Sequence, residues 1–380
     1  MIAHLTTAHA RTDVRIRIKE AATLAQQMPC AVKLLVQDGL GGEVDAHSGL
    51  EIVDTGARAP GRFARMAFGP WRMFRAVRKL RPNIVHFHDP ELIPMALVLR
   101  LLGTKVIYDV HEDLPRQIEA KHWIPKPIKK AISILAEGLE YLAGKSFHGF
   151  VLAGPTLSPR FPAARSIIVY NYPILSELVP QDPVPYATRP VQFAYVGGIT
   201  PARGSMEMIK ALEHLGVDAA RLSLGGPFQP AAHQQDCSAQ LAWSSVDYLG
   251  MLDRQQVRAL LGSSRAGLVT LHPTNSYLHS YPVKMYEYMA ASLPFIASDF
   301  PLWREILEGA ECAIFVDPQK PEQISDAMRW ILDNPKKAEA MGAAGHTLAM
   351  AKYNWAVEAD KLVGFYNDMM DSSGKGGLSA

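Results

Sequence analysis

A chain of 380 residues is longer than one hydrophobic core usually supports, so two domains are expected. With 48% apolar and 20% charged residues it is not a disordered or fibrous chain, and three distant cysteines without a CxxC pair (Cys30, Cys237, Cys312) argue against a disulfide framework or a cysteine-built zinc site and fit a reducing cytoplasm. The net charge of +2 hides an asymmetry: residues 1–172 hold 23 Lys and Arg against 15 Asp and Glu, and residues 173–380 hold 16 against 22, so only the first part is expected to meet an anionic partner.

The opening MIAHLTTAHARTDVR lacks a signal-peptide core and reads as a first strand. No apolar run approaches the ~20 residues that span a bilayer. Short apolar runs then alternate with helical patterns, as a parallel α/β sheet requires. The expected strands are 2–6, 31–36, 52–53, 84–88, 105–109, 149–153 and 166–170, with helices over 15–27, 62–80, 92–102 and 126–143. The Pro-rich, aperiodic stretch 171–189 reads as a linker. Beyond it the alternation resumes, with strands at 192–196, 221–225, 246–249, 266–271 and 295–297. Helices are expected at 204–215, 255–262, around Lys284, and at 322–332, 335–347 and 355–370, before a Ser/Gly-rich tail, 371–380, that reads as disordered. Two such domains facing a cleft place ligands at the carboxyl ends of their strands.

Ser280–Phe300, SYPVKMYEYMAASLPFIASDF, carries the most chemistry. Pro282 suits a first helical turn, polar backbone leads into the helix, and free N–H groups there bind phosphate. Glu287, two turns in, can accept hydrogen bonds from a ribose. With Lys284 the segment reads as a site for a nucleotide diphosphate; the plain alternative is a surface Lys–Glu pair. In Tyr195–Gly204, YVGGITPARG, a strand ends in Gly197-Gly198 and Arg203-Gly204 open a helix. Glycines let backbone approach a phosphate, and a guanidinium holds two phosphate oxygens at once. Gly250 and Met251 end a later strand and are expected to offer backbone to a nucleobase, unless they form an ordinary turn.

His111, after the strand VIYDV, is placed to face the cleft with Glu112. Two histidines and two acids in HFHDPE (His86, His88, Asp89, Glu91) raise the question of metal, but the run reads as polar residues lining the cleft at a strand end. No Asp-x-Asp occurs, so no metal is expected at a diphosphate. In the loop Thr6–Asp13, His9, Arg11 and Asp13, followed by Arg15, are expected to face the acceptor side. Basic residues interleave with aromatics in 62–81, where seven Arg and Lys accompany Phe63, Phe68, Trp71 and Phe74, and again in 121–130. Such segments suit an anionic membrane face; the alternative is a core helix with a solvated basic side. No nucleic-acid module surrounds them.

These segments, taken in order with HLTTAHARTDVRIRIKE, VHFHDPELIP and VIYDVHED, resemble the retaining glycosyltransferases of family 4 (group 1), which have the GT-B fold. The resemblance covers most of the chain. It implies two Rossmann-like parallel-sheet domains facing a cleft, with a C-terminal helix crossing back: 1–172 for the acceptor, 173–354 for the nucleotide sugar, and 355–380 for the helix and tail. That family has two Glu seven residues apart; Glu287 matches the second, and His279 stands at the first. The family's Arg after the first glycine is Gly198 here, and Arg203 stands where it has Lys. By resemblance His111 contacts the transferred sugar, and Ser280 and Tyr281 meet the phosphates through backbone N–H.

The function expected is transfer of a sugar from a UDP- or GDP-sugar to a lipid-linked or growing glycan acceptor in cell-surface polysaccharide synthesis, with retention implied by the resemblance. No cofactor, metal or nucleic acid is expected, and the place is the inner membrane face, peripherally. His111, Arg203 and Lys284 are assigned the chemistry. The alternatives are a sugar-nucleotide epimerase of the same fold, or a non-catalytic subunit that binds a nucleotide sugar.

Overall fold

The computed structural model describes residues 1–119, 125–179 and 184–371, which form two compact units, Met1–Asn171 with the chain from Glu358 onward, and Tyr172–Val357. The first is built on an eight-stranded sheet. Its strands are β1 (Ile2–Leu5), β2 (Val32–Val36), β3 (Glu43–Val44), β4 (Glu51–Asp54), β5 (Ile84–Phe87), β6 (Lys105–Val110), β7 (Gly149–Leu152) and β8 (Ser166–Ile168), in the order β3-β4-β2-β1-β5-β6-β7-β8. All pairs are parallel except β3–β4. β1, β5 and β7 are buried throughout, as strands covered on both faces must be. Because β1 pairs with both β2 and β5, the strand order reverses there, and that is where a doubly wound sheet opens a crevice at its carboxyl ends.

The second unit has six parallel strands: β9 (Gln192–Val196), β10 (Arg221–Gly225), β11 (Val246–Gly250), β12 (Ala266–Val269), β13 (Phe295–Ser298) and β14 (Ala313–Val316). Their order, β11-β10-β9-β12-β13-β14, reverses between β9 and β12. Its core joins Phe193, Tyr195, Leu222 and Leu268 of the sheet to Met208, Leu212, Ile324 and Met328 of the covering helices.

The alternation read from the sequence holds in both units, and the Arg62–Leu80 helix has the expected ends. Elements outside that reading include β3, β14, and the helices Leu114–Glu119, His233–Ser238 and Pro301–Leu307. The expected linker is partly a helix, Leu175–Leu178, with Leu178 and Tyr186 buried; its residues 180–183 lie outside those described, as does the expected disordered tail beyond 371. The helix Trp355–Asp371 starts with the second unit and from Glu358 belongs to the first. There Glu358 accepts from the Tyr170 N–H at 2.9 Å and Lys105 donates to the Met369 carbonyl at 2.6 Å.

Candidate functional site

In the first unit the loop after β1 is held by Asp89. This buried carboxylate accepts from the Thr7 N–H (2.6 Å), the Thr6 hydroxyl (2.9 Å) and the Ala8 N–H (3.2 Å). Glu91 adds the Thr7 hydroxyl at 2.6 Å and both arms of Arg65. The chain then enters a π-helical segment, Val14–Ala21, capped by Asp13, whose carboxylate accepts from the Ile16 N–H. A π-turn winds wider than an α-helix and often sits at functional sites. Here Arg15, Lys19 and Glu20 come out buried.

Asp109, fully buried on β6, is the hub. It faces His88 Nδ1 (2.9 Å), His111 Nε2 (2.6 Å), and the Nε (3.2 Å) and Nη2 (2.9 Å) of Arg15. Burial alone raises a carboxylate's pKa, but Arg15 first, then His111 and His88, hold Asp109 well below its usual range. Glu20, buried beside it, moves the other way, pushed up by burial and by Asp109. Only His9, Asp13 and His111 keep part of their surface exposed in this cluster. His9 Nδ1 lies 3.1 Å from Asp13, and its ring centroid is 5.3 Å from that of His111. Burial opposes the ionised Asp13, yet the hydrogen bonds from His9 and Ile16 bring it down to about 2, and the bond to Asp13 raises His9.

Several expectations are corrected here. Arg11 turns to a bidentate clamp on Asp38 (2.6 and 2.6 Å) and to Glu43, so it braces the β2–β3 connection. Arg15 is buried on Asp109 and the Val169 carbonyl. His86 and His88 do not line a cleft: both are enclosed, because parallel strands bury the face they share. Asp89 is enclosed too and acts on the loop, while Glu112 is exposed. The sequence reading passed over Asp109, although an acid inside the apolar run VIYDV is itself a sign of a buried charge that must have partners.

In the second unit, Lys284 and Arg203 converge on the end of β9. A Cβ at Gly197, where φ is +133°, would lie 2.8 Å from Lys284 Nζ, and one at Gly198 3.0 Å from Arg203 Nη1. Only glycine leaves backbone bare against both cations. Arg203 donates to the Gly198 carbonyl (3.2 Å) and meets the Tyr277 hydroxyl (3.4 Å), and the Lys284 ammonium sits 5.0 Å over the Tyr195 ring. Among the described residues neither makes an ion pair. Burial, reinforced by Arg203, lowers Lys284 to about 8.

Glu287 lies one turn beyond Lys284 on the helix Val283–Ala290 and pairs with Arg254 at 2.8 Å; Arg254 also reaches Glu177 at 3.1 Å. Arg254 and Glu177 escaped sequence reading because nothing local marks a pairing across 77 residues. Pro282 caps the helix rather than opening its first turn, and no side chain caps it. Ser280 gives its hydroxyl to the Tyr277 carbonyl, Tyr281 is half-buried, and His279 is exposed in the preceding loop. Gly250, with φ at +63°, ends β11, its carbonyl accepting from the Gly226 N–H (2.6 Å), and Met251 is exposed.

The arrangement can hold an anion: two cations against bare glycine backbone, beside an uncapped helix start. Two sequence families match the chain, "Glycosyl transferases group 1" over residues 182–347 and "Glycosyl transferase 4-like domain" over residues 14–140. The MMP alpha-(1->4)-mannosyltransferase of Mycolicibacterium hassiacum is 20% identical over 78% of this chain and 73% of its own. Among solved structures, sucrose-phosphate synthase from Thermosynechococcus elongatus superposes with a TM-score of 0.74 at 14% identity, over 98% of this chain and 99% of that one. Anabaena Alr3699/HepE in complex with UDP-glucose gives 0.69 at 11% identity, over 97% and 99%.

Proposed function

We propose a specific reaction for a chain that belongs to the group 1 glycosyl transferases and has the GT-B fold: retaining transfer from a nucleotide-diphosphate sugar, held by the second unit, to a lipid-linked or growing glycan acceptor engaged by the first. The observation that carries this reading is the pair Arg203 and Lys284 beside Gly197–Gly198, two cations that form no ion pair among the described residues. As the bond from sugar C1 to the diphosphate breaks, charge grows on the terminal phosphate. A donor fixed in place at such a point lowers a barrier by about 3–4 kcal/mol, because no solvent reorganises around it. The mannosyltransferase and the UDP-glucose complex among its relatives support a hexose nucleotide as donor.

In this reading Glu287, oriented by Arg254, accepts from the ribose hydroxyls, Gly250 and Met251 meet the base, and Ser280 and Tyr281 present backbone N–H to the phosphates. His279 replaces a carboxylate with an imidazole, which can still donate or accept. In the first unit His9, Asp13 and His111 are the groups that an acceptor or sugar hydroxyl can reach, and Asp109 fixes the orientation of His111. The leaving phosphate takes the acceptor proton, and no metal is required at the diphosphate.

The helix Arg62–Leu80 supports a membrane-facing acceptor. Met73 and Val77 are core, while Phe63, Met66, Phe68 and Trp71 are exposed, Phe63 by 89%. Both readings of that segment are therefore present in one helix, whose C-terminal half is anchored in the core while Phe63, Met66, Phe68 and Trp71 of its N-terminal half stay exposed. Of the second basic segment, residues 121–124 lie outside those described; Ile128 within it and Ile134 and Leu135 beyond it are exposed. Among the described residues no helix is long and apolar enough to cross a membrane, so attachment is peripheral in this proposal.

A thermal-shift panel of nucleotides and nucleotide sugars tests the donor, because a ligand of the native state raises its melting temperature. One UDP- or GDP-sugar should shift the protein and release its nucleotide when membrane extract is added. Binding of several donors with turnover of none would favour a non-catalytic subunit.

A further inference from the structure

On the inward face of the first sheet, one residue below the acceptor-side loop, three histidines and a glutamate meet. His4 of β1 and His86 of β5 are register partners, and His88 follows two residues later on the same face. Glu20 arrives from the π-helical segment and Tyr366 from the last helix. A ligand atom from each of His4, Glu20, His86 and His88 lies within 4.8 Å of the others, and all four residues are buried.

The hydrogen bonds decide which nitrogens carry protons. The carboxylate of Asp109 can only accept, so His88 Nδ1 (2.9 Å away) holds a proton and donates it. Neutral His88 then has a bare lone pair at Nε2, and His4 Nδ1, 3.0 Å away, must donate to it. That leaves the Nε2 of His4 as a bare lone pair, fully buried. His86 Nδ1 is engaged by the Tyr366 hydroxyl at 2.8 Å. Among the described residues, the Nε2 atoms of His4 and His86 and both Glu20 oxygens have no hydrogen-bond partner. The Arg15 Nε lies 3.0 Å from Glu20 Oε1, but its N–H is directed to Asp109. Four unpartnered polar atoms on residues of one buried cluster would each cost about 1–3 kcal/mol unanswered.

We propose that His4 Nε2, His86 Nε2 and a Glu20 oxygen bind a divalent transition-metal ion, zinc by the ligand set, in the first unit, with a water as the fourth ligand. Two imidazoles and a carboxylate are a zinc set. A tetrahedral zinc ion keeps ligands about 3.3 Å apart, closer than the 4.8 Å that bounds one ligand atom from each of these residues, so binding would draw the side chains together. The outer partners are in place as well: Tyr366 on His86, and His88, itself fixed by Asp109, on His4. The sequence reading set metal aside here because HFHDPE reads as polar residues lining a cleft at a strand end, whereas the histidines are enclosed and the two acids are engaged elsewhere. The third ligand comes from Glu20, distant in sequence. The ion joins β1 and β5 to the π-helical segment that follows the His9–Asp13 loop. Enclosed, it takes no part in the transfer, and the proposal stands apart from the donor reading.

Elemental analysis of the full chain, purified without chelator from zinc-supplemented medium, should find about one zinc ion per chain, released by chelator only on unfolding. E20Q and H86Q should lose it. Tyr366→Phe, which removes only the outer hydrogen bond, should fold and bind zinc about tenfold more weakly. Should the ligand variants not fold, wild-type protein refolded with cobalt(II) should show the visible absorption of a tetrahedral ion. Native protein with less than about a tenth of an ion per chain, and no cobalt spectrum after refolding, would mean that water answers these atoms, and would overturn the proposal.

Discussion

The two units treat charge in opposite ways. Around Asp109 the polar groups of the hub are answered within the protein: Arg15, His88 and His111 by Asp109, and His9 by Asp13. Around Gly197 two cations stand close together and are answered by a carbonyl, a phenol and a ring face. Both clusters lie at the carboxyl ends of a parallel sheet where the strand order reverses. A buried network that closes on itself builds rigidity, whereas a cation pair left open costs stability that only an anionic ligand restores.

Variants should separate these behaviours. The largest effect is expected from Asp109→Asn, which leaves Arg15 and two histidines short of their shared acceptor; loss of one partner of a buried pair costs about 3–5 kcal/mol. Denaturant unfolding should show this, with nucleotide affinity of the surviving native protein unchanged. Next, Lys284→Ala or Arg203→Ala should lower turnover by about 10²–10³ with melting temperature unchanged or raised, in steady-state assays. An equal loss of stability in the two clusters would erase the contrast.

A smaller effect follows from pH. Burial brings Lys284 to about 8 against an ordinary 10.5, so without a bound anion it loses its proton at lower pH than an exposed lysine. Binding a diphosphate favours the ammonium and raises that pKa. Affinity should therefore be flat below pH 8 and weaken above it, by up to tenfold per unit until the bound-state pKa is passed. Calorimetry at pH 7, 8 and 9 reads this; Lys284→Ala should remove the slope. The smallest effect is expected outside both clusters: replacing Phe63 and Trp71 with Ala should reduce sedimentation with anionic vesicles several-fold, because both rings are exposed.

The alternation of strands and helices was legible because a parallel sheet needs continuous apolar runs and amphipathic covers, both local patterns. The cation pair was legible for a related reason: Lys284 lies one turn from Glu287, and Arg203 follows a Gly-Gly strand end. Pairings made across the fold were not. Arg11 offers the same sequence signature whether it faces an acceptor or Asp38. His86 and His88 look alike in a strand whether they line a cleft or pack inward. Whether a polar residue at a strand end is open or enclosed depends on the elements laid over it, here the segment 14–21 and the helix ending at Asp371.

The central claim, that Arg203 and Lys284 grip a pyrophosphate, is tested most directly by comparing a nucleoside diphosphate with its monophosphate in calorimetric titrations. The wild-type protein should prefer the diphosphate by at least about tenfold, and in the Arg203→Ala, Lys284→Ala double variant that preference should fall toward unity. An undiminished preference in the folded double variant would contradict the account.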